Sequence, residues 1–82
     1  MPLPKMKFKE TPKTARTARA SAIVDDALQR TAYDDAYAGR VLREMEALYA
    51  EADREGATAE AQILDQESRV LRRTLAALKA GG

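Results

Sequence analysis

Three groups of side chains in this sequence are of types that do chemistry, and their spacing decides what each can do. The first is acidic. Asp25-Asp26 and Asp34-Asp35 are adjacent pairs, followed by Glu44, Glu46, Glu51, Asp53 and Glu55. Adjacent residues on a helix point about 100° apart, so neither Asp pair converges on one proton or one metal ion. Helical carboxylate sites need i,i+3 or i,i+4 spacing, usually with histidine alongside. Glu51 and Glu55 have that spacing, but they stand in what reads as a last helical turn before Gly56. The Glu-x-x-Glu pattern of all-helical nucleotide pyrophosphohydrolases is absent. The chain has no histidine and no cysteine. The commonest general base, the commonest transition-metal ligand, thiol nucleophiles and disulfides are therefore excluded. The pattern predicts no catalytic residues, no metal and no cofactor, and solvated acidic faces instead.

The second group is basic. Residues 1–19 carry six Lys or Arg against one Glu, residues 20–56 carry four Arg against nine acids, and residues 57–82 carry four bases against three acids. Lys5, Lys7, Lys9, Lys13, Arg16 and Arg19 thus form a basic arm leading into an acidic helix. Six positive charges on one arm are suited to phosphate contacts, which makes a DNA- or RNA-binding accessory protein or transcriptional regulator the alternative function. Phe8 is the one aromatic available there to stack on a base. The pI of about 8.0 is low for a nucleic-acid binder, and the acidic stretch would repel DNA. An acidic protein surface explains the arm as well, including the acidic helix of a second copy. Lys5, Met6, Lys7, Phe8 and Lys9 alternate charged and apolar, so an extended segment would place Met6 and Phe8 on one side. Residues 1–11, with Pro2 and Pro4 opposing an early helix start, read as an arm that is disordered when free and orders on a partner.

The third group is Asp34 with Tyr33 and Tyr37. An aspartate on an apolar row is costly unless paired. This one is a candidate for setting register or partner choice through an ion pair with Lys79 or with an arginine of another chain. The two tyrosines, four apart, flank it.

The elements that must position these groups are helices. Ala57, Ala61, Leu64, Leu71, Leu75 and Leu78 repeat at alternating four and three, with Ser68 as the polar insertion, and Ile63, Val70 and Ala77 form a second row on the same helix. A matching seam runs upstream through Val41, Met45 and Leu48, and continues toward the N-terminus through Thr31 and Asp34. Gly56 suits the left-handed position that ends a helix, and Thr58 suits the cap of the next. Asp26 with Arg30, and Asp65 with Arg69, are i,i+4 pairs oriented to support their helices.

The expected fold is all-α. It is an antiparallel helical hairpin with a helix over about 12–55, a turn at 56–57 and a helix over about 58–79, one domain spanning 12–80. Thr11-Pro12 is the expected start and Thr31 the point where the long helix would bend or break. Of the 82 residues, 17 are alanine and only 14 are Leu, Ile, Val or Phe. A buried alanine contributes far less than the roughly 1.5–3 kcal/mol of a buried leucine, and so small a chain is marginal alone. The seam residues Val41, Met45, Leu48, Ile63, Leu64, Val70, Leu71, Leu75 and Leu78 are therefore expected to form a homo-oligomer as well as the hairpin. No apolar run approaches the roughly 20 residues of a membrane helix, and no apolar segment follows the first lysines as in a signal peptide. The reading is a cytoplasmic, coiled-coil-like regulatory adaptor acting through protein–protein interaction, not an enzyme.

Overall fold

Two threonines start the first helix. The Thr14 hydroxyl accepts from the Thr17 N–H at 3.2 Å, while the Thr14 N–H donates to Thr17 Oγ1 at 2.9 Å, a reciprocal capping box. The computed structural model describes residues 14–81, and the start anticipated at Thr11-Pro12 lies outside them. From Thr14 the chain forms α1 (Ala15–Gln29), α2 (Asp35–Arg54) and α3 (Thr58–Gly81), with no strand among the described residues.

The expected single helix over 12–55 is two helices. Arg30 is extended, at φ −81° and ψ 149°, and so is Asp34, at φ −138° and ψ 117°. Asp34 Oδ1 accepts from the N–H groups of Ala36 at 2.9 Å and Tyr37 at 3.3 Å. Those are orphan donors of a helix start, and aspartate satisfies them well. A continuous helix would carry Thr31 and Asp34 on its buried seam, where each needs a partner. The break leaves both exposed. The cap of α2 is Asp34, three residues after Thr31.

The second turn follows the expectation at Gly56, which has φ 72°. The Ala57 N–H reaches back to Ala52 O at 2.9 Å and the Gly56 N–H to Asp53 O at 3.1 Å, the paired bonds of a Schellman ending. Thr58 is not the cap of α3 but its first residue, with its hydroxyl donating to Gly56 O at 3.5 Å. The last helix continues past Lys79 to Gly81.

Helix direction follows from which ends meet. Arg16 reaches Glu51, Glu55 and Glu60, Arg19 reaches Glu44, and Asp26 meets Tyr37. Hence α1 runs antiparallel to α2 and parallel to α3, and the hairpin gains a third helix folded back on it. The long side chains bridge α1 and α2, whose backbones approach each other little, whereas α3 packs along both.

The buried set is Ala20, Ile23, Val24 and Ala27 from α1, Tyr37, Ala38, Val41, Met45 and Ala52 from α2, and Ala61, Leu64, Leu71 and Leu75 from α3. Met45, Leu64 and Leu71 are the largest side chains fully enclosed. Leu48 and Leu78 pack against this core partly buried. Ala20, Ala27 and Ala52 are 0% exposed, and their small size lets the helices approach closely. Val41, Met45, Leu64, Leu71 and Leu75, read as a seam between copies as well as within one, thus pack inside a single chain. Ile63 is half-buried and Val70 exposed.

Urea unfolding of Leu71→Ala is expected to show a loss of about 2–5 kcal/mol, the range for truncating an enclosed leucine. Asp34→Ala is expected to lose about 1 kcal/mol while Asp34→Asn stays near wild type, because asparagine caps equally well. Equal losses for both Asp34 variants would show that its charge, not its capping, matters.

Candidate functional site

Three helix ends meet at Arg16. The first turn of α1 supplies the guanidinium, the last turn of α2 supplies Glu51 and Glu55, and the first turn of α3 supplies Glu60. Arg16 Nε donates to Glu60 Oε2 at 3.0 Å and Nη2 to Glu60 Oε1 at 2.8 Å, a bidentate pair. Nη2 also donates to Glu55 Oε1 at 2.7 Å, and Nη1 donates to Glu51 Oε1 at 3.1 Å and Glu55 Oε2 at 3.2 Å. The Thr14 hydroxyl donates to Glu60 Oε2 as well. The Arg16 side chain is 19% exposed and that of Glu60 only 7%.

The charges reinforce one another. The hydrogen bonds that Arg16 donates to Glu60, then to Glu55 and Glu51, raise it further above its already high value. Arg16 and then Thr14 hold Glu60 below the usual carboxylate range, and Arg16 does the same to Glu55. Arg16, Glu55 and Glu60 stay ionised at neutral pH, so none of the three is poised to exchange a proton. Every guanidinium nitrogen is occupied. Chemically this is a clamp joining three helices.

Two further contacts tie α1 to α2. Arg19 grips Glu44 through Nε at 2.6 Å and Nη2 at 2.9 Å, which lowers the Glu44 pKa. The Tyr37 hydroxyl donates to Asp26 Oδ2 at 2.7 Å, and Arg30 Nε donates to the same oxygen at 3.1 Å. The Arg30 guanidinium lies 3.5 Å from the Tyr37 ring centroid and that of Arg40 lies 5.5 Å away, a cation–π arrangement. Burial and then the Asp26 bond raise the Tyr37 pKa, and the Tyr37 and Arg30 bonds lower that of Asp26.

Several candidate residues already have partners within the chain. Arg16 and Arg19, read as part of the arm that meets a partner, are held by carboxylates of their own chain. Antiparallel packing of α1 on α2 places them on those acids. Lys5, Lys7, Phe8, Lys9 and Lys13 lie outside the described residues. Asp34 does not pair with Lys79: its carboxylate caps α2, and Lys79 Nζ instead lies 5.5 Å from the Tyr33 ring centroid. Tyr33 is half-buried and Tyr37 only 5% exposed, so both pack within the chain beside Asp34. The pairs Asp26–Arg30 and Asp65–Arg69 do form, at 3.1 and 3.2 Å. Nothing in the local spacing around Glu60 marks its burial or its union with Arg16.

A groove runs between α2 and α3, and no residue of α1 lines it. At the turn it has a volume of about 430 Å³ and is lined by Tyr49, Asp53, Ala57, Ala61, Asp65 and Arg69, among others. It continues as a smaller space of about 170 Å³ beside Met45, Glu46, Tyr49, Asp65, Ser68 and Arg72. Ser68, the polar insertion in the α3 seam, is accounted for by this opening. Tyr49 is 41% exposed. The rim carries the pairs Arg69–Asp65 and Arg72–Glu46, the latter at 3.9 Å. Asp53 has no ion-pair partner among the described residues.

Among the described residues, no group of three or more acidic side chains is placed to hold a metal ion, and no helix is long and apolar enough to cross a membrane. Comparison of the chain with protein-family models, curated proteins and solved structures finds no match.

The clamp predicts an acid-labile fold. Glu60, Glu55 and Glu44 have folded values below their ordinary 4.5. Their ionisation favours folding above that pH, and the contribution is lost as pH falls through the folded values. The melting midpoint is expected to hold from neutral pH down to about 4.5 and to drop below it. Arg16→Leu should melt lower at neutral pH and lose less on acidification, because its carboxylates no longer share a cation. An unchanged acid slope in that variant would show that the clamp does not hold the helices together.

Proposed function

We propose that this chain is a non-enzymatic interaction protein of the regulatory-adaptor kind. It self-associates through the outer row of α3 and docks on an acidic surface through the basic segment of residues 1–13. The observation that carries the reading is what α3 leaves uncovered. After α1 and α2 have both packed on this helix, Val70 is 38% exposed, Ala77 is exposed and Ile63 is half-buried. The three residues follow a seven-residue spacing, the repeat with which one helix lies along another. With alanine at five of the thirteen core positions, a further buried row would add stability that the single chain lacks.

The charge distribution supports a protein target over nucleic acid. Arg16 and Arg19 are already neutralised by Glu60, Glu55, Glu51 and Glu44. Of the basic residues at the N-terminal end, the four lysines at 5, 7, 9 and 13 remain for phosphate contacts, which is a small set for stable binding at physiological salt.

Sedimentation equilibrium of the wild type at micromolar concentration is expected to show a dimer or larger species. Val70→Asp should shift it toward monomer with unchanged helicity, since Val70 is not part of the core. Light scattering with a short duplex DNA at low salt is expected to show no complex. A wild-type monomer would contradict self-association, and a salt-sensitive DNA complex would put nucleic acid in place of the protein target.

A further inference from the structure

The α2–α3 groove has an apolar floor and a rim of mixed charge, on which Asp53, Asp65 and Glu46 outnumber Arg69 and Arg72 by one. We propose that residues 1–13 dock back into the groove of their own chain, with Met6 and Phe8 on the Tyr49–Ala57–Ala61 floor and the lysines over Asp53, Asp65 and Glu46. This rests on the reading of that segment as a docking element, and it names the surface.

The place where the described chain begins carries the first part of the argument. Thr14 is bonded to Glu60, and Glu60 adjoins Ala61, which lines the groove. The mouth of the groove is the turn that also contributes Gly56, Ala57 and Thr58. The segment therefore starts at the same end of the hairpin. Thirteen residues extend to about 45 Å, whereas the groove from Ala57 to Arg72 follows α3 for about 22 Å. The chain is long enough to pass over the turn and lie along the groove.

Chemistry carries the second part. In an extended segment the alternation Lys5-Met6-Lys7-Phe8-Lys9 sets the two apolar side chains on one face. The floor offers an exposed tyrosine ring between alanines, space that a phenylalanine and a methionine can fill. The rim offers Asp53 without an ion-pair partner among the described residues. Asp65 and Glu46 have exposed partners, Arg69 and Arg72, which flexible lysines can join or displace.

The chain has no cysteine, so Glu10→Cys accepts a single nitroxide label on the full-length protein. Amide spectra are then recorded on the labelled chain and on a mixture of labelled and isotope-enriched unlabelled chains. The proposal expects the amides of Asp53, Ala57, Ala61, Asp65 and Arg69 to lose most of their intensity in the labelled chain and none in the mixture. Tyr49→Ala or Phe8→Ser should restore them without changing the spectrum of α1. Loss of intensity at another acidic face would overturn the groove as the surface while leaving the segment a docking element. Groove broadening in the mixture alone would overturn docking within one chain. No loss beyond the first turn of α1 in either sample would overturn both the groove and any docking on the chain itself.

Discussion

The constraint behind this fold is a shortage of large apolar side chains. Among the described residues, Met45, Leu64 and Leu71 are the largest side chains fully enclosed, and alanine occupies much of the remaining core. With so little to bury, one helix must serve two neighbours. The third helix does so: its leucine row faces inward while α1 and α2 lie along it. Alanines on the flanking helices reduce the distance between axes, so the few leucines reach both sides.

Charge then holds what burial holds weakly. The first helix contributes Ala20, Ile23, Val24 and Ala27 to the core, as many residues as α3 but smaller ones. Its attachment is completed by Arg16 on three carboxylates, Arg19 on Glu44 and Asp26 on Tyr37. These contacts lie at its start, middle and end, fixing direction as well as position. The opposed charges of the basic and acidic stretches are in part an internal adhesive, and only what is left over is available to a partner.

Much of this was legible in the residues. The leucine row of α3, the ending at Gly56 and the two i,i+4 pairs follow from local spacing, and local spacing survives any change of global arrangement. The break between α1 and α2 was harder. No glycine or proline marks it, and Thr31 and Asp34 look like blemishes in a long seam until Asp34 is recognised as a cap. Once α1 was read as continuous with α2, its arginines had no acids opposite them, and the clamp could not be seen. Glu60 shows the same limit: a first-turn glutamate is ordinary, and its burial depends on a helix that begins 45 residues earlier. Ser68 and Tyr49 gave the groove no signal of its own, since a polar insertion and one tyrosine occur on any exposed face.

Native-state hydrogen exchange is the most direct test of a hairpin core to which α1 is fastened by charge. Amides around Leu64 and Leu71 in α3 should exchange only through global unfolding, while those of α1 should open at distinctly lower free energy as a unit. If α1 and α3 exchange with one common free energy, α1 is as firmly cored as the hairpin, and the clamp is incidental to the fold.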